Sequence, residues 1–489
     1  MNVMKEKFMF RLYISMLVFI LMPFQVINAN AEGKEQVFQK ISEYVERAMV
    51  ELRIPGASLA IVHEGEVALA NAWGVTGGEK SEVTVQTPFL IGSNSKAITA
   101  YAIMLLVEQG MIDLKKPVQD YLPWFTLSDE VVASDITIEH LLSHSSGLSS
   151  FSGFSLSDRG SSEFEAIQEN VRVLANDEPI FYPGEGYEYS AANYAILGAV
   201  IEEVTGSFFS DFVHNELFGP LDMKFASASV QQAIGTGWEA GYRSWFDIPI
   251  ASPNRFDNGG APYGYIAASA QDMAQFIIAL QNPGQVLSQE HTDLLLEPLI
   301  ELRQDYYYGF GWRLSNLENG DLKIWHSGST TDFRSEMFMI PELEVGVVLL
   351  TNRNNSLEEI RLHNVSTGIE KLLYGLEPGD IVRSTPIERS LFYVVVGFLL
   401  LVSILFISKL KRQTVVKHRW RWGGVGVLFG LLAVSFFPLF INGFSIPFQS
   451  FWLFVPDLAL LSIGVVGLLI LNAIFAFILS KRGGEQNNC

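Results

Sequence analysis

The chain has 489 residues, with 33 basic against 53 acidic side chains and a formal charge of −20. Residues 32–390 carry 22 of the bases and 50 of the acids, a net −28 that argues against nucleic acid as a partner, because phosphate binding needs basic surface. A mean hydropathy of +0.24 is too high for an ordinary water-soluble enzyme and brings in a membrane.

In chain order, the first predicted element is a secretory signal over residues 1–31. Lys5, Lys7 and Arg11 form its charged region, Leu12 to Phe24 its apolar run, and Ala29-Asn30-Ala31 an A-x-A cleavage site before Glu32. An uncleaved anchor helix is the alternative, but Pro23 and Gln25 cut the apolar run short. The single cysteine, Cys489, allows neither an intrachain disulfide nor a thiol metal site.

Residues 32–376 read as one mixed α and β domain. Val37, Ile41, Val45 and Met49 lie on one face of a helix predicted over 37–52. Strands are predicted over 57–62 and 66–73, around the turn His63-Glu64-Gly65. A helix over 96–109 ends at Gly110. The stretch 111–300 is rich in Gly, Pro and Ser, with short helical pieces over 138–142 and 194–204. Strands return over 322–325, 335–340 and 345–351, and a helix over 357–373 closes the domain. Strands from both ends around a helical middle predict one sheet closed by both termini, with a helical lobe inserted.

Beyond a linker over 377–390, which holds Pro378, Gly379 and Pro386, three apolar segments run over 391–408, 423–441 and 458–480. Each is about long enough to cross a hydrocarbon core of roughly 30 Å. The loop 409–422 is dense in Lys and Arg, and Lys481-Arg482 follows the last segment. Such basic loops favour the cytoplasmic side, so the tail 481–489 is predicted inside and the domain 32–376 outside.

Three short segments could carry chemistry. In Ser93-Asn94-Ser95-Lys96, a serine and a lysine three apart share one helix face at a helix start. A helix N-terminus favours a developing oxyanion. A lysine removed from water moves toward its neutral form and can accept a proton. An ordinary serine cap with a solvated lysine is the alternative, and taken alone it is the commoner case. In Glu188-Tyr189-Ser190-Ala191, Tyr189 could act as a base if cations lowered its pKa, or it could simply pack at a lobe junction. In His326-Ser327-Gly328-Ser329, a strand edge could offer backbone N–H groups to an oxyanion.

Together and in this order, the three segments resemble the serine β-lactamase-like superfamily of penicillin-binding proteins, class C β-lactamases, D-aminopeptidases and related esterases. The similarity extends through Gly110-Met111-Ile112-Asp113-Leu114, the Ile136 to Leu148 stretch and Tyr308-Gly309-Phe310-Gly311-Trp312, over roughly 36–375. The resemblance implies an antiparallel sheet flanked by helices. It also implies an acyl-enzyme mechanism without metal or cofactor. Ser93 would be the nucleophile, Lys96 its partner and Tyr189 the general base. His326 would keep Tyr189 or Lys96 in the right ionisation state. The backbone N–H groups of Ser93 and Ser329 would form the oxyanion hole in the Ser327-Gly328-Ser329 strand. One position departs from the pattern: Ala191 stands where the family usually has the asparagine that holds a substrate amide side chain. This weakens the β-lactamase and carboxypeptidase readings more than the acyl-enzyme chemistry.

Two other features are assigned to structure. His140 and His144 have a spacing that metal ligands can use, but the resemblance places them in a structural turn. Tyr306, Tyr307, Tyr308 and Trp312 are expected at the sheet edge and cleft rim. The signal, hydrolase domain and three helices are similar in layout to prodrug-activating peptidases of nonribosomal peptide pathways, which remove an N-acyl-D-asparagine cap during export. The leading expectation is a membrane-anchored serine peptidase or amidase for D-amino-acid-containing peptides or wall-derived fragments. A penicillin-binding protein or β-lactamase, an esterase, and a non-catalytic sensor on the same fold are the alternatives. No protein partner is identified.

Overall fold

Alternation decides the centre of the domain. In the strand Val345–Thr351, Val345, Val347 and Leu349 enter one apolar core, while Val348 and Leu350 enter another. The neighbouring Gly56–His63 does the same, with Leu59 and Ile61 on one side and Ala60 and Val62 on the other. A two-residue period with apolar residues on both faces gives a strand buried on both sides. In this computed structural model, which describes residues 33–253, 255–383, 386–412, 418–444 and 446–481, those strands are central in an eight-stranded antiparallel sheet.

The sheet runs Glu66–Gly74, Gly56–His63, Val345–Thr351, Arg334–Ile340, Leu322–Ser329, Arg313–Asn316, Tyr306–Tyr308, Ile300–Arg303. Strands from both ends of the domain thus meet at its centre, as the sequence predicts. The helix over 33–52 and the helix Glu359–Leu373 cover one face, through residues such as Ile41, Val45, Val365 and Ile369. The other face meets the Ser95–Glu108 helix and the inserted lobe. The Ser95–Glu108 helix is apolar nearly all round and buried from Ser95 to Leu106, as expected of a helix walled in by protein.

Several details differ from the sequence expectation. Ile300–Arg303, Tyr306–Tyr308 and Arg313–Asn316 add three strands that have too few residues for a period to register. Leu322–Ser329 runs four residues beyond the predicted end, because Arg334–Ile340 continues to pair with it through Ser329. Trp312 does not reach the cleft rim. It is fully buried and stacks on Phe276 at 6.4 Å.

Three helices, Ile387–Lys411, Arg419–Phe444 and Pro456–Lys481, are long and apolar enough to cross a membrane. The first starts at Ile387, inside the expected linker, because Pro386 serves as its N-cap. Side chains such as Val394, Phe398, Leu431 and Val434 stand exposed on their outer faces, an apolar surface that suits lipid and not water. Inside the bundle, Asn472 accepts from Ser403 at 2.9 Å and donates to the Leu399 carbonyl at 3.2 Å. The expected signal, 1–31, and residues 482–489 lie outside the described residues.

The bundle is joined to the domain by a buried ion-pair network. Asp457 accepts from Arg389 at 2.6 Å, from the Phe246 amide at 3.0 Å and from Asn355 at 3.2 Å, and it has no solvent exposure. Arg389 also reaches Glu358 at 3.1 Å, which pairs in turn with Arg353. Breaking one side of such a pair costs more than the pair contributes, because the remaining charge stays buried. Asp457→Ala should therefore destabilise the full-length protein by about 3 kcal/mol or more. Thermal unfolding in lipid nanodiscs measures this, and an unchanged midpoint would show that the junction carries no stability.

Candidate active site

Ser93 sits in a single 3-10 turn, Gly92–Asn94, directly before the Ser95–Glu108 helix. The turn lies close against the strand Leu322–Ser329. Gly92 has φ of +54°, and a Cβ there would collide with the Ser329 amide nitrogen. A Cβ on Gly328 would overlap the Ile91 carbonyl oxygen. Two glycines, one on each side, thus let the Ser93 turn and the strand touch backbone to backbone. Asn94 and Ser335 lock the contact, with Asn94 donating to Ser335 Oγ at 2.7 Å and Ser335 donating to the Ile91 carbonyl at 2.6 Å.

One helical turn on, Lys96 points back at Ser93. Its Nζ lies 3.1 Å from Ser93 Oγ and 2.7 Å from the Tyr263 carbonyl. The lysine is 1% exposed. Burial pulls its pKa below the ordinary lysine value, Tyr189 works against that pull, and Arg313 adds to it. Among the described residues no carboxylate forms an ion pair with it. An amine in this position can accept the Ser93 proton.

Tyr189 is presented over Lys96, with the ammonium 4.9 Å from its ring centroid. Its hydroxyl is buried and makes no aligned hydrogen bond among the described residues. The His144 residue grips both neighbours of Tyr189. The His144 carbonyl accepts from the Glu188 amide at 3.0 Å, and its Nδ1 accepts from the Ser190 amide at 3.3 Å. The imidazole lies 4.4 Å from the tyrosine ring. Burial, with nearby cations second, holds His144 well below the usual histidine range, so it is a neutral clamp. Ser190 then caps the helix Ala191–Thr205 through the Ala192 amide. Asn193 is spent on structure, accepting from Ser146 and lying 2.8 Å from His144 Nδ1. Ala191 lines the cleft with a methyl group. His140, by contrast, completes a capping box with Thr137.

His326 is buried on the same strand edge. Its Nδ1 lies 2.7 Å from the Ser327 carbonyl, which can only accept, so Nδ1 carries the proton. Its Nε2 faces the Tyr308 hydroxyl at 3.5 Å. Burial, then Arg313 and Lys96, push its pKa well below the usual range, which makes it neutral. Each ring nitrogen thus has a nearest polar partner other than Tyr189, whose ring lies 6.1 Å from the imidazole. The cation beside Tyr189 is Arg313, its guanidinium 5.4 Å from the tyrosine ring. Burial opposes the Arg313 charge, but four surrounding tyrosines outweigh it and raise its pKa. Sequence reasoning missed Arg313, because only the pairing of Arg313 with Trp325 brings it to the site.

Within Leu322–Ser329, the strand Arg313–Asn316 pairs only with Leu322 to Trp325. From His326 to Ser329 that edge has no strand partner on this side among the described residues, and Ser327 and Ser329 line a cleft of about 340 Å³ with Ser93, Lys96 and Tyr189. All the site residues expected from sequence therefore come together. Asp158 lines the cleft as well. Burial pushes its carboxyl up to about 7, with the Tyr265 hydroxyl opposing. A raised folded-state value means that Asp158 stabilises the fold at low pH, and that this contribution is lost as pH rises from about 4 to about 7. Asp158→Asn should match wild type below pH 4 and exceed it in stability above pH 7, by on the order of 2 kcal/mol. Melting temperatures across that range measure the gap, and a gap independent of pH would refute this.

Comparison with known proteins identifies the fold and family. The Beta-lactamase family model matches residues 40–366. The protein flp of Staphylococcus aureus strain COL is 28% identical over 336 residues, covering 68% of this chain and 66% of its own length, just under two thirds. Among solved structures, the octameric penicillin-binding protein homologue from Pyrococcus abyssi aligns with a TM-score of 0.60 at 24% identity, covering 70% of this chain and 78% of that one. The D-amino acid amidase from Ochrobactrum anthropi SV3 aligns with a TM-score of 0.54 at 23% identity, covering 64% and 92%.

Proposed function

Since the chain belongs to the beta-lactamase family, whose members are generally serine hydrolases, we propose that it is a membrane-anchored peptidase or amidase acting through an acyl-Ser93 intermediate on D-amino-acid-containing peptides. The observation that carries this reading is the 3.1 Å contact between Ser93 Oγ and a buried Lys96 beside an unpaired strand edge. The substrate backbone lies along Ser327 to Ser329, with its carbonyl over Ser93. Lys96, with Tyr189 above it, takes the serine proton as Oγ attacks. The N–H groups of Ser93 and Ser329 stabilise the oxyanion. Tyr189 gives its proton to the departing amine and regains one from Lys96. A water then attacks the acyl group, giving its proton through the same pair to Ser93 Oγ as the acid is released. Arg313 keeps a fixed positive charge beside the Tyr189 ring, while burial holds His326 neutral.

Ala191 counts against the β-lactamase and carboxypeptidase readings more than against acyl-enzyme chemistry, because its methyl cannot hold a substrate amide side chain. The D-configuration takes its support from similarity to D-amino acid amidase in fold. Activation of an exported peptide prodrug is one use of such an enzyme. A penicillin-binding protein or β-lactamase is the second reading, favoured by the fold of the Pyrococcus homologue.

Mass spectrometry separates the two. The protein is expected to form an acyl adduct at Ser93 with N-acyl-D-amino-acid amides, and more slowly with penicillins. Ser93→Ala should give none, and Lys96→Ala should slow acylation by roughly 10² or more. The wild-type rate should reach its plateau below about pH 10.4, the ordinary lysine value, because burial lowers the Lys96 pKa. Adducts in the Ser93→Ala protein, or a limb only above that pH, would refute the mechanism.

The domain 32–376 is proposed to lie outside the cell, after a signal removed at Ala31, with the tail inside. Cys489 is the chain's single thiol and reports this directly. A membrane-impermeant maleimide should label it in lysed cells and not in intact ones. Labelling in intact cells would invert the topology.

A further inference from the structure

The active-site cleft is not walled by the hydrolase domain alone. Ile446, Ser450, Phe451, Phe454 and Val455 line it too, and all five belong to the connector between the second and third apolar helices. Six attachments hold that connector to the domain. Arg243 donates to the carbonyls of Trp452 at 2.7 Å and Leu453 at 2.8 Å. The Ser356 amide donates to the Phe454 carbonyl at 3.0 Å. Ser450 donates to the Phe154 carbonyl at 3.2 Å. Trp452 meets Trp245 edge to face at 6.0 Å, and Asp457, two residues after Val455, accepts from the Phe246 amide at 3.0 Å.

Gln449 and Trp452 do not line the cleft, which leaves Ser450 as the cleft-lining polar side chain of the connector. Its backbone carbonyls face Arg243 and Ser356, and its one hydroxyl faces Phe154. What remains toward the cleft is the apolar surface of Phe451, Phe454, Val455 and Ile446, in a cleft that Phe154 and the Ala191 methyl also line. A concave apolar wall beside a few convergent polar groups selects a ligand with an apolar part next to its reacting bond. We infer that the connector Ile446–Val455 forms a specificity subsite for an apolar substituent of the substrate, so that the membrane module completes the active site.

The address of this subsite rests on the Ser93 reading, but its test does not need turnover. Binding is measured by calorimetry on full-length Ser93→Ala protein in nanodiscs. The ligands are the amides of N-acetyl-D-alanine, N-phenylacetyl-D-alanine and N-acetyl-D-phenylalanine. At least one apolar ligand should bind about tenfold or more tighter than N-acetyl-D-alanine amide. Preference for the second places an acyl cap on the wall, and preference for the third places a side chain there. Phe451→Ser and Phe454→Ser should each erase most of the preference while leaving N-acetyl-D-alanine amide affinity unchanged. Equal binding of all three ligands, or a preference that survives both substitutions, would overturn the subsite. Failure of wild type to acylate would instead overturn the hydrolase reading.

Discussion

A lysine side chain shut away from water next to a serine hydroxyl constrains much of this molecule. Burying Lys96 is costly, since an ammonium loses its hydration and gains no carboxylate in exchange. The fold meets that cost with one backbone carbonyl, from Tyr263, and with the tyrosine rings around the amine. Each neighbour needs its own support. Tyr189 is held by His144 on both sides, and Tyr263 reaches across to the Leu156 carbonyl. The inserted lobe is thus a device for enclosing one amine.

The same constraint explains the charge pattern inside the cleft. Lys96, His144 and His326 are each pushed toward their neutral forms by burial, and each positive charge nearby pushes the others further. Arg313 alone keeps its charge, because a guanidinium does not give up its proton under such conditions. The site thus combines one permanent cation with three groups whose burial disfavours their charged forms, and the Arg313 guanidinium stands beside the Tyr189 ring.

How much of this the sequence displays depends on distance along the chain. Ser93 and Lys96 are three residues apart, and helix geometry alone puts them together. The central strands show themselves by their apolar runs, and the three C-terminal helices by their length. Arg313 stays invisible because it is brought to Tyr189 by strand register across 124 positions of sequence. His144 looks like a metal candidate in sequence, and only its positive φ of +57° shows why it can clasp Glu188 and Ser190 at once. Trp312 is misplaced for a related reason: an aromatic after Gly311 suits a rim as well as a core until the Phe276 helix is put beside it. The connector Phe448–Phe454 is hidden by its composition, since an apolar segment between two apolar helices reads as more of the same.

The contacts of Asp457 with the Phe246 amide and of Arg389 with Glu358 tie the apolar helices to the domain, with a consequence for encounter with substrate. With the three apolar helices in a bilayer, this joint holds the cleft beside the lipid surface. Ser93 then samples a thin layer next to the membrane and not the full volume on its side. For a substrate that adsorbs to the membrane, the concentration that matters is its surface density, and diffusion to the cleft runs in two dimensions. Turnover in such a system scales with the area of membrane shared by enzyme and substrate, and dilution of the surrounding fluid leaves it nearly untouched.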